Sequence, residues 1–223
     1  MTADGLMAFW MEIDRDYLQR FREWHNCEHA FERVSVPGFL SGQRYGSLER
    51  DDAFLIFYET ETTAVLGSEA YQAALNRPTP WTKETLAHFR NPARTIYSLA
   101  ETHGAPPPVP APYVASLRFN LSGGGLDDLK DSLLRRPAAA DLVSRVRLYA
   151  MDEAISGIMT SERKIYGGGP CKQQYLVLYE ILRPFAELAE GTLPERPALK
   201  AAGLQDLFLD RFWLEFALRA PGR

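Results

Sequence analysis

Two six-residue phrases constrain this chain more than any other feature. FLIFYE occupies residues 54–59 and YLVLYE residues 175–180, in register 121 positions apart. Both are short apolar runs rich in aromatic and branched residues, the pattern of strands. Between them lies THGAPPPVPAP at 102–112, with five prolines. Proline has no amide donor and a fixed φ, so this stretch neither continues a helix nor enters a central strand. It reads as a linker, and divides the chain into halves 1–101 and 113–223.

Six matching positions are thin support for a duplication, so the order of elements has to carry it. In the first half a strand at 6–13 leads to a helix at 16–34. Strands at 39–45 and 54–59 follow, then helical stretches at 64–76 and 82–89 and a last strand at 94–99. The second half offers strands at 114–121, 146–151, 175–180 and 212–218, a helix starting near 126, and helical stretches at 185–190 and 197–202. Each half is a βαββαβ, ferredoxin-like unit. Residues 152–172, with GGG at 167–169, depart from the plan and read as a long loop.

Strand faces suggest how the halves combine. Met7, Phe9, Met11 and Ile13 form one row of the first strand, and Leu6, Ala8 and Trp10 the other, so both faces need cover. The economical cover is the other sheet, which predicts an α+β fold in which two antiparallel sheets pack into one α/β barrel. In the second half, mixed rows accompany apolar ones: Ser116, Arg118 and Asn120 oppose Ala115, Leu117, Phe119 and Leu121, while Arg211, Trp213 and Glu215 oppose Phe212, Leu214, Phe216 and Leu218. If the apolar rows meet helices, the mixed rows line a ligand cavity, with Arg118 and Trp213 as binding residues; otherwise they face solvent.

Charge narrows the partners. Acids number 29 and bases 25, spread along the chain, so no basic stripe suits nucleic acid or an anionic membrane surface. No apolar run is long enough to span a bilayer. Two cysteines, Cys27 and Cys171, and the lack of a basic-then-apolar leader point to the cytoplasm. SGGGLDDL at 122–129 lacks the Gly-Lys-Ser/Thr ending of a phosphate loop and reads as a turn.

The chemistry concentrates in WHNCEHAFERVSVPGF, residues 24–39. Tyr17, Leu18, Phe21, Trp24 and Phe31 recur at helical spacing, and at ~100° per residue Glu28 falls within the apolar stripe, with His25 and His29 along its edge. A buried carboxylate requires a base, a donor, a metal or a cavity, although Glu28 also has histidine neighbours to pair with. His25-Asn26-Cys27-Glu28-His29 fits the His-x-x-Glu-His pattern of inverted zinc proteases. That chemistry needs a further ligand from a second helix, and the nearest candidate, Glu101, sits at a strand end beside the linker.

Read through to Tyr45, EHAFERVSVPGFLSGQRY resembles the dimeric α/β-barrel proteins of the EthD-like group. There a helix ends with a histidine, and a Val/Leu-Pro-Gly turn enters a strand bearing Arg-Tyr or Arg-Trp; His29, Pro37, Gly38, Arg44 and Tyr45 occupy those places. FLIFYE, TPW at 79–81 and NPARTIY at 91–97 extend the likeness over most of the first hundred residues, whereas the second half shares only the fold.

The resemblance implies a small-molecule enzyme acting on an aromatic or conjugated carbonyl compound by proton transfer, as an isomerase, a cyclase or a cofactor-free oxygenase. It implies no obligatory cofactor, with zinc or haem on His25 and His29 as the minor alternative, and leaves open both a homodimer and a non-catalytic ligand-binding protein. His29 is the expected base or acid, with His25 and Glu28 beside it. Arg44 and Tyr45 are expected to orient a carbonyl or carboxylate, and Trp81 to cap the cavity. Tyr58 and Tyr179, present in both halves, suit packing.

Overall fold

The computed structural model describes residues 3–123 and 125–220; Gly124, in the glycine-rich turn, lies outside them. In the first half, strand β1 (Gly5–Ile13) pairs antiparallel with β3 (Ala53–Thr60) and with β4 (Phe89–Gly104), and β2 (Phe39–Ser47) pairs with β3. The second half repeats the arrangement: β5 (Tyr113–Leu121) pairs with β7 (Tyr175–Ile181) and β8 (Leu204–Arg219), and β6 (Val143–Met151) with β7. The order β1-β3-β2-β8-β5-β7-β6-β4 closes, so the fold is α+β with one eight-stranded antiparallel barrel. Both rows of β1 are buried except at Glu12, as its otherwise apolar character requires.

The halves share irregularities as well as order. β4 and β8 each place two residues opposite one on the neighbouring strand, across from Met11 and Phe119 respectively. The third residue of each long strand has positive φ, 49° at Asn91 and 50° at Asp206. Asn and Asp tolerate that region because their short polar side chains bond locally, so both positions suit a bulge. β4 also runs through Thr102 and His103 to Gly104, and the proline-rich stretch starts only beyond it.

The expected helix at 16–34 is a helical run of changing pitch. A 3₁₀ turn (Arg15–Tyr17) leads into α-helix (Leu18–Trp24), a π turn (His25–His29) and α-helix again (Ala30–Val34). The Ala30 amide bonds to the His25 carbonyl, five residues back. The second half has its own π turn, Asp131–Arg135, closed by the Arg136 amide on the Asp131 carbonyl. Gly38, at φ +90°, reverses the chain after the first helix, where a side chain would be strained.

Residues 152–172 are not the expected loop. Asp152 caps a helix at Glu153–Ser156 by accepting from the Ile155 amide, and Thr160 caps another at Ser161–Tyr166 by accepting from the Arg163 amide. Smaller corrections concern Phe89, which belongs to β4, and 185–190, where only Phe185–Glu187 is helical. No helix among the described residues is long and apolar enough to cross a membrane.

Two compact units emerge. The first gathers the chain up to Ser98, Asp152–Cys171 and the chain from Glu215 onward; the second comprises Leu99–Met151 and Lys172–Leu214. In the first, Phe21, Trp24, Phe54, Tyr58 and Phe89 pack the helices onto the sheet. In the second, Ala115, Leu117 and Phe119 meet Leu133, Leu134 and Leu199.

A buried pocket around His29 in the first unit

The first unit encloses a pocket between its sheet and its helices. Met7, Phe9, Ile56 and Tyr58 form the floor, Trp24, His29 and Arg33 one wall, and Phe89 and Arg94 another. Thr160, Glu162 and Tyr166 close it from the 152–171 segment. The cavity volume is about 20 Å³. That is room for water, not for an aromatic ring, so a ligand enters only if side chains or the covering segment move.

The π turn explains how the two histidines enter the core. An i→i−5 bond widens the turn, so a 3.6-residue wheel misplaces everything after Trp24. His25 is fully buried and His29 is 9% exposed, while Glu28 turns aside. Glu28 accepts hydrogen bonds from Thr79 Oγ1 (2.6 Å) and Thr82 Oγ1 (3.2 Å), and Thr82 in turn accepts from Trp24 Nε1 at 3.1 Å. Its carboxylate ties the helix to the start of Pro80–Leu86 and does not line the pocket.

His29 packs against the Trp24 indole, with ring centroids 4.1 Å apart, and Arg33 Nε lies 3.4 Å from its Nε2. Burial, the Arg33 charge and His25 hold its pKa well below the usual imidazole range, so it is neutral near pH 7. His25 is lowered the same way, by burial and then by Arg44; its Nε2 lies 3.3 Å from the Tyr58 hydroxyl and its ring meets Phe216 edge-on at 5.4 Å. The two imidazole centroids are 6.1 Å apart. Among the described residues no three His, Cys, Asp or Glu side chains converge as metal ligands.

Three charged groups line the pocket. Arg33 Nη2 donates to Glu162 Oε1, and both side chains are almost wholly buried. Arg94 Nη2 donates to the Tyr71 hydroxyl at 3.2 Å. Burial raises the Glu162 carboxyl above its usual pKa, opposed by Arg33 and Arg94. Sequence reasoning found none of these three. Arg33 lay within the singled-out helix and Arg94 within NPARTIY, so both were visible; Glu162 lay in the segment read as a loop.

The remaining expected site residues fall elsewhere. Arg44 is buried in a network, donating to Glu215 Oε2 at 2.9 Å and to Asn26 Oδ1 at 2.8 Å, and Glu215 also accepts from Arg22 Nη2 at 2.7 Å. Tyr45 stacks on Phe57 and donates to Gln43 Oε1 at 3.0 Å. Trp81 is half-buried, with the Arg20 guanidinium 4.4 Å from its ring, and is outside the pocket lining. In the second unit, Arg118 pairs with Asp210 at 3.0 Å and lies over Phe208, and Trp213 is 43% exposed. The pocket is thus on the helix-covered face of the sheet, and the mixed rows do not build it.

Three solved structures resemble the chain over nearly its whole length. One is an anthrone oxidase-like protein, at TM-score 0.62 and 10% identity over 99% of this chain and 94% of that one. A candidate monooxygenase from Fusobacterium nucleatum subsp. nucleatum matches at 0.59 and 8% over 98% and 96%. Another from Lactobacillus acidophilus NCFM matches at 0.57 and 5% over 97% of each chain. Likeness at such identity establishes the fold, an α+β barrel, and nothing finer. No family model and no curated protein matches the sequence.

Proposed function

We propose that this chain is a small-molecule enzyme of the oxidase or oxygenase type, working by proton removal from an aromatic or conjugated carbonyl compound in the His29 pocket. One observation carries the reading: a neutral, buried imidazole stands at the wall of an aromatic pocket with a guanidinium one helical turn away. A neutral imidazole accepts a proton without first losing one. The substrate then becomes an anion, which Arg33 and Arg94 stabilise where little water competes. Arg33 now points Nε at the His29 acceptor, so turnover requires that donor to swing to the substrate oxygen and free the imidazole lone pair.

The likeness to an anthrone oxidase-like protein suggests a first substrate to try. Removing the methylene proton of anthrone leaves an electron-rich phenolate that reacts with dioxygen, giving anthraquinone and water with all atoms accounted for. His25 sits behind His29, bonded to Tyr58, and serves to position the helix. Arg44, Tyr45, Glu28 and Trp81 belong to the frame.

The test is hydrogen–deuterium exchange at the acidic carbon of anthrone and of conjugated enol lactones, together with dioxygen uptake. Exchange should occur with the intact chain and fall at least 100-fold in His29→Gln at unchanged melting temperature, the scale of a lost general base. The small free volume and the occupied His29 lone pair favour one alternative, a protein that holds its ligand unchanged. Saturable binding without exchange in any compound would decide for it.

A further inference from the structure

Charge balance in the pocket singles out a ligand class. Arg33 and Arg94 are both buried, and among the described residues Glu162 is the one carboxylate that lines the pocket with them. Glu32 also acts electrostatically on Arg33 and on Glu162, but it lies outside the lining, so within the pocket two guanidiniums share one carboxylate. Arg33 Nη1 is buried and has no hydrogen-bond partner, although Nη2 of the same guanidinium holds Glu162. A guanidinium offers its donors in a fixed fork that matches two oxygens of one anion. Here half of that fork is unused.

Glu162 is also the one of the three that lies outside the first helix and the strands. It rides on the helix Ser161–Tyr166, within a segment that follows β6 and is held to β4 at both ends: the Asp152 amide bonds to the Ile96 carbonyl and the Cys171 amide to Thr95 Oγ1. The helix ends at Gly167 and Gly168, with φ of 72° and 70°. The Arg94 amide also bonds to the Gly169 carbonyl, so any shift of this helix takes place between ends that stay fixed on β4.

We propose that Arg33 and Arg94 form an anion subsite that binds one ionised oxygen group of an aromatic small molecule, a carboxylate or a phenolate, in place of the Glu162 carboxylate. The inference rests on reading this pocket as a ligand site but not on turnover. Displacing Glu162 opens the space that the closed pocket lacks, so charge recognition and entry are one event. Neutral aromatic compounds of the same shape have nothing to offer Arg33 and leave the covering helix closed.

Calorimetric titration of the full chain with benzoate, 4-nitrophenol and the neutral isostere benzamide tests this. Benzoate should bind at least tenfold more tightly than benzamide, and 4-nitrophenol should take on the yellow of its phenolate when bound. Glu162→Gln removes the competing charge yet keeps an acceptor, and should tighten benzoate about tenfold. Arg33→Met should abolish the preference for the anion; Arg33→Lys, which keeps the charge and loses the fork, should weaken benzoate while the chain stays folded. Equal binding of benzamide and benzoate, absence of benzoate binding in both wild type and Glu162→Gln, or weaker binding in Glu162→Gln would each overturn the subsite. Benzoate binding without carbon-proton exchange would sink the enzymatic reading and leave the subsite standing.

Discussion

Glu162 Oε1 accepts from Arg33 Nη2 across 129 residues of chain, and both side chains are nearly inaccessible to water. This pair fastens the 152–171 segment over the pocket, so its removal should be costly in one direction only. Glu162→Leu or Arg33→Met alone leaves a buried charge uncompensated and should lower unfolding stability by about 3–5 kcal/mol. The double variant replaces both charges with apolar groups and should recover much of that loss. Chemical denaturation of the three variants measures the cycle, and additive losses would show that the pair is not the fastening.

Tyr58 and Tyr179 occupy equivalent places on β3 and β7, yet only Tyr58 has a reason for its hydroxyl. Its oxygen lies 3.3 Å from His25 Nε2, whereas the Tyr179 hydroxyl is buried with no hydrogen-bond partner. Tyr58→Phe should therefore cost about 1 kcal/mol, a typical net hydrogen bond. Tyr179→Phe removes an unsatisfied polar atom and should be neutral or slightly stabilising. Denaturation midpoints compare the two, and equal losses would mean that packing alone governs both positions.

The same pair shows which parts of the molecule the sequence displays. FLIFYE and YLVLYE are legible because a strand buried on both faces must be apolar throughout, and that leaves a mark in any six residues. The first helix is legible up to Trp24, where spacing follows 3.6 residues per turn. Beyond it the π turn, which no residue type announces, rotates Glu28 toward Thr79 and brings His29 into the pocket. Glu162 was hidden for a different reason. Its helix is six residues long and flanked by glycine and proline, so local signals describe a loop, and only contacts from distant parts of the chain hold it. The mixed rows stayed ambiguous because alternation states that two faces differ and not which one meets a cavity: Trp213 is 43% exposed and Arg118 pairs with Asp210.

Pro37 and Gly38 were legible for a reason the backbone confirms. Gly38 has φ +90°, and a Cβ there would lie 2.6 Å from Val65 Cγ2. Gly38→Ala combines an unfavourable backbone with a clash and should destabilise by about 1–3 kcal/mol. Gly38→Ala in a Val65→Ala background keeps only the backbone part. Thermal melts of the single and double variants separate the two, and an unchanged melt in the single variant would contradict the observed turn.

Acid should loosen this protein through its two buried histidines. Both imidazoles have folded-state pKa values well below the ordinary 6.5, through burial first and then through Arg44 for His25 and Arg33 for His29. Above pH 6.5 folded and unfolded chains are alike in leaving them neutral. As pH falls below 6.5 the unfolded chain takes up protons that the folded one refuses, so stability drops until the folded pKa values are reached. Each site contributes at most about 1.4 kcal/mol per pH unit, so two give up to about 2.7. Glu162 acts in the opposite sense: its carboxyl is raised by burial, so the folded chain binds its proton first, and it offsets part of the loss between that raised value and the ordinary carboxylate pKa. Urea denaturation from pH 7 to pH 5 should show the decline, and His29→Gln should reduce its slope toward half. An undiminished slope in that variant would mean that His29 is protonated in the folded chain, and a protonated imidazole could not serve as the base.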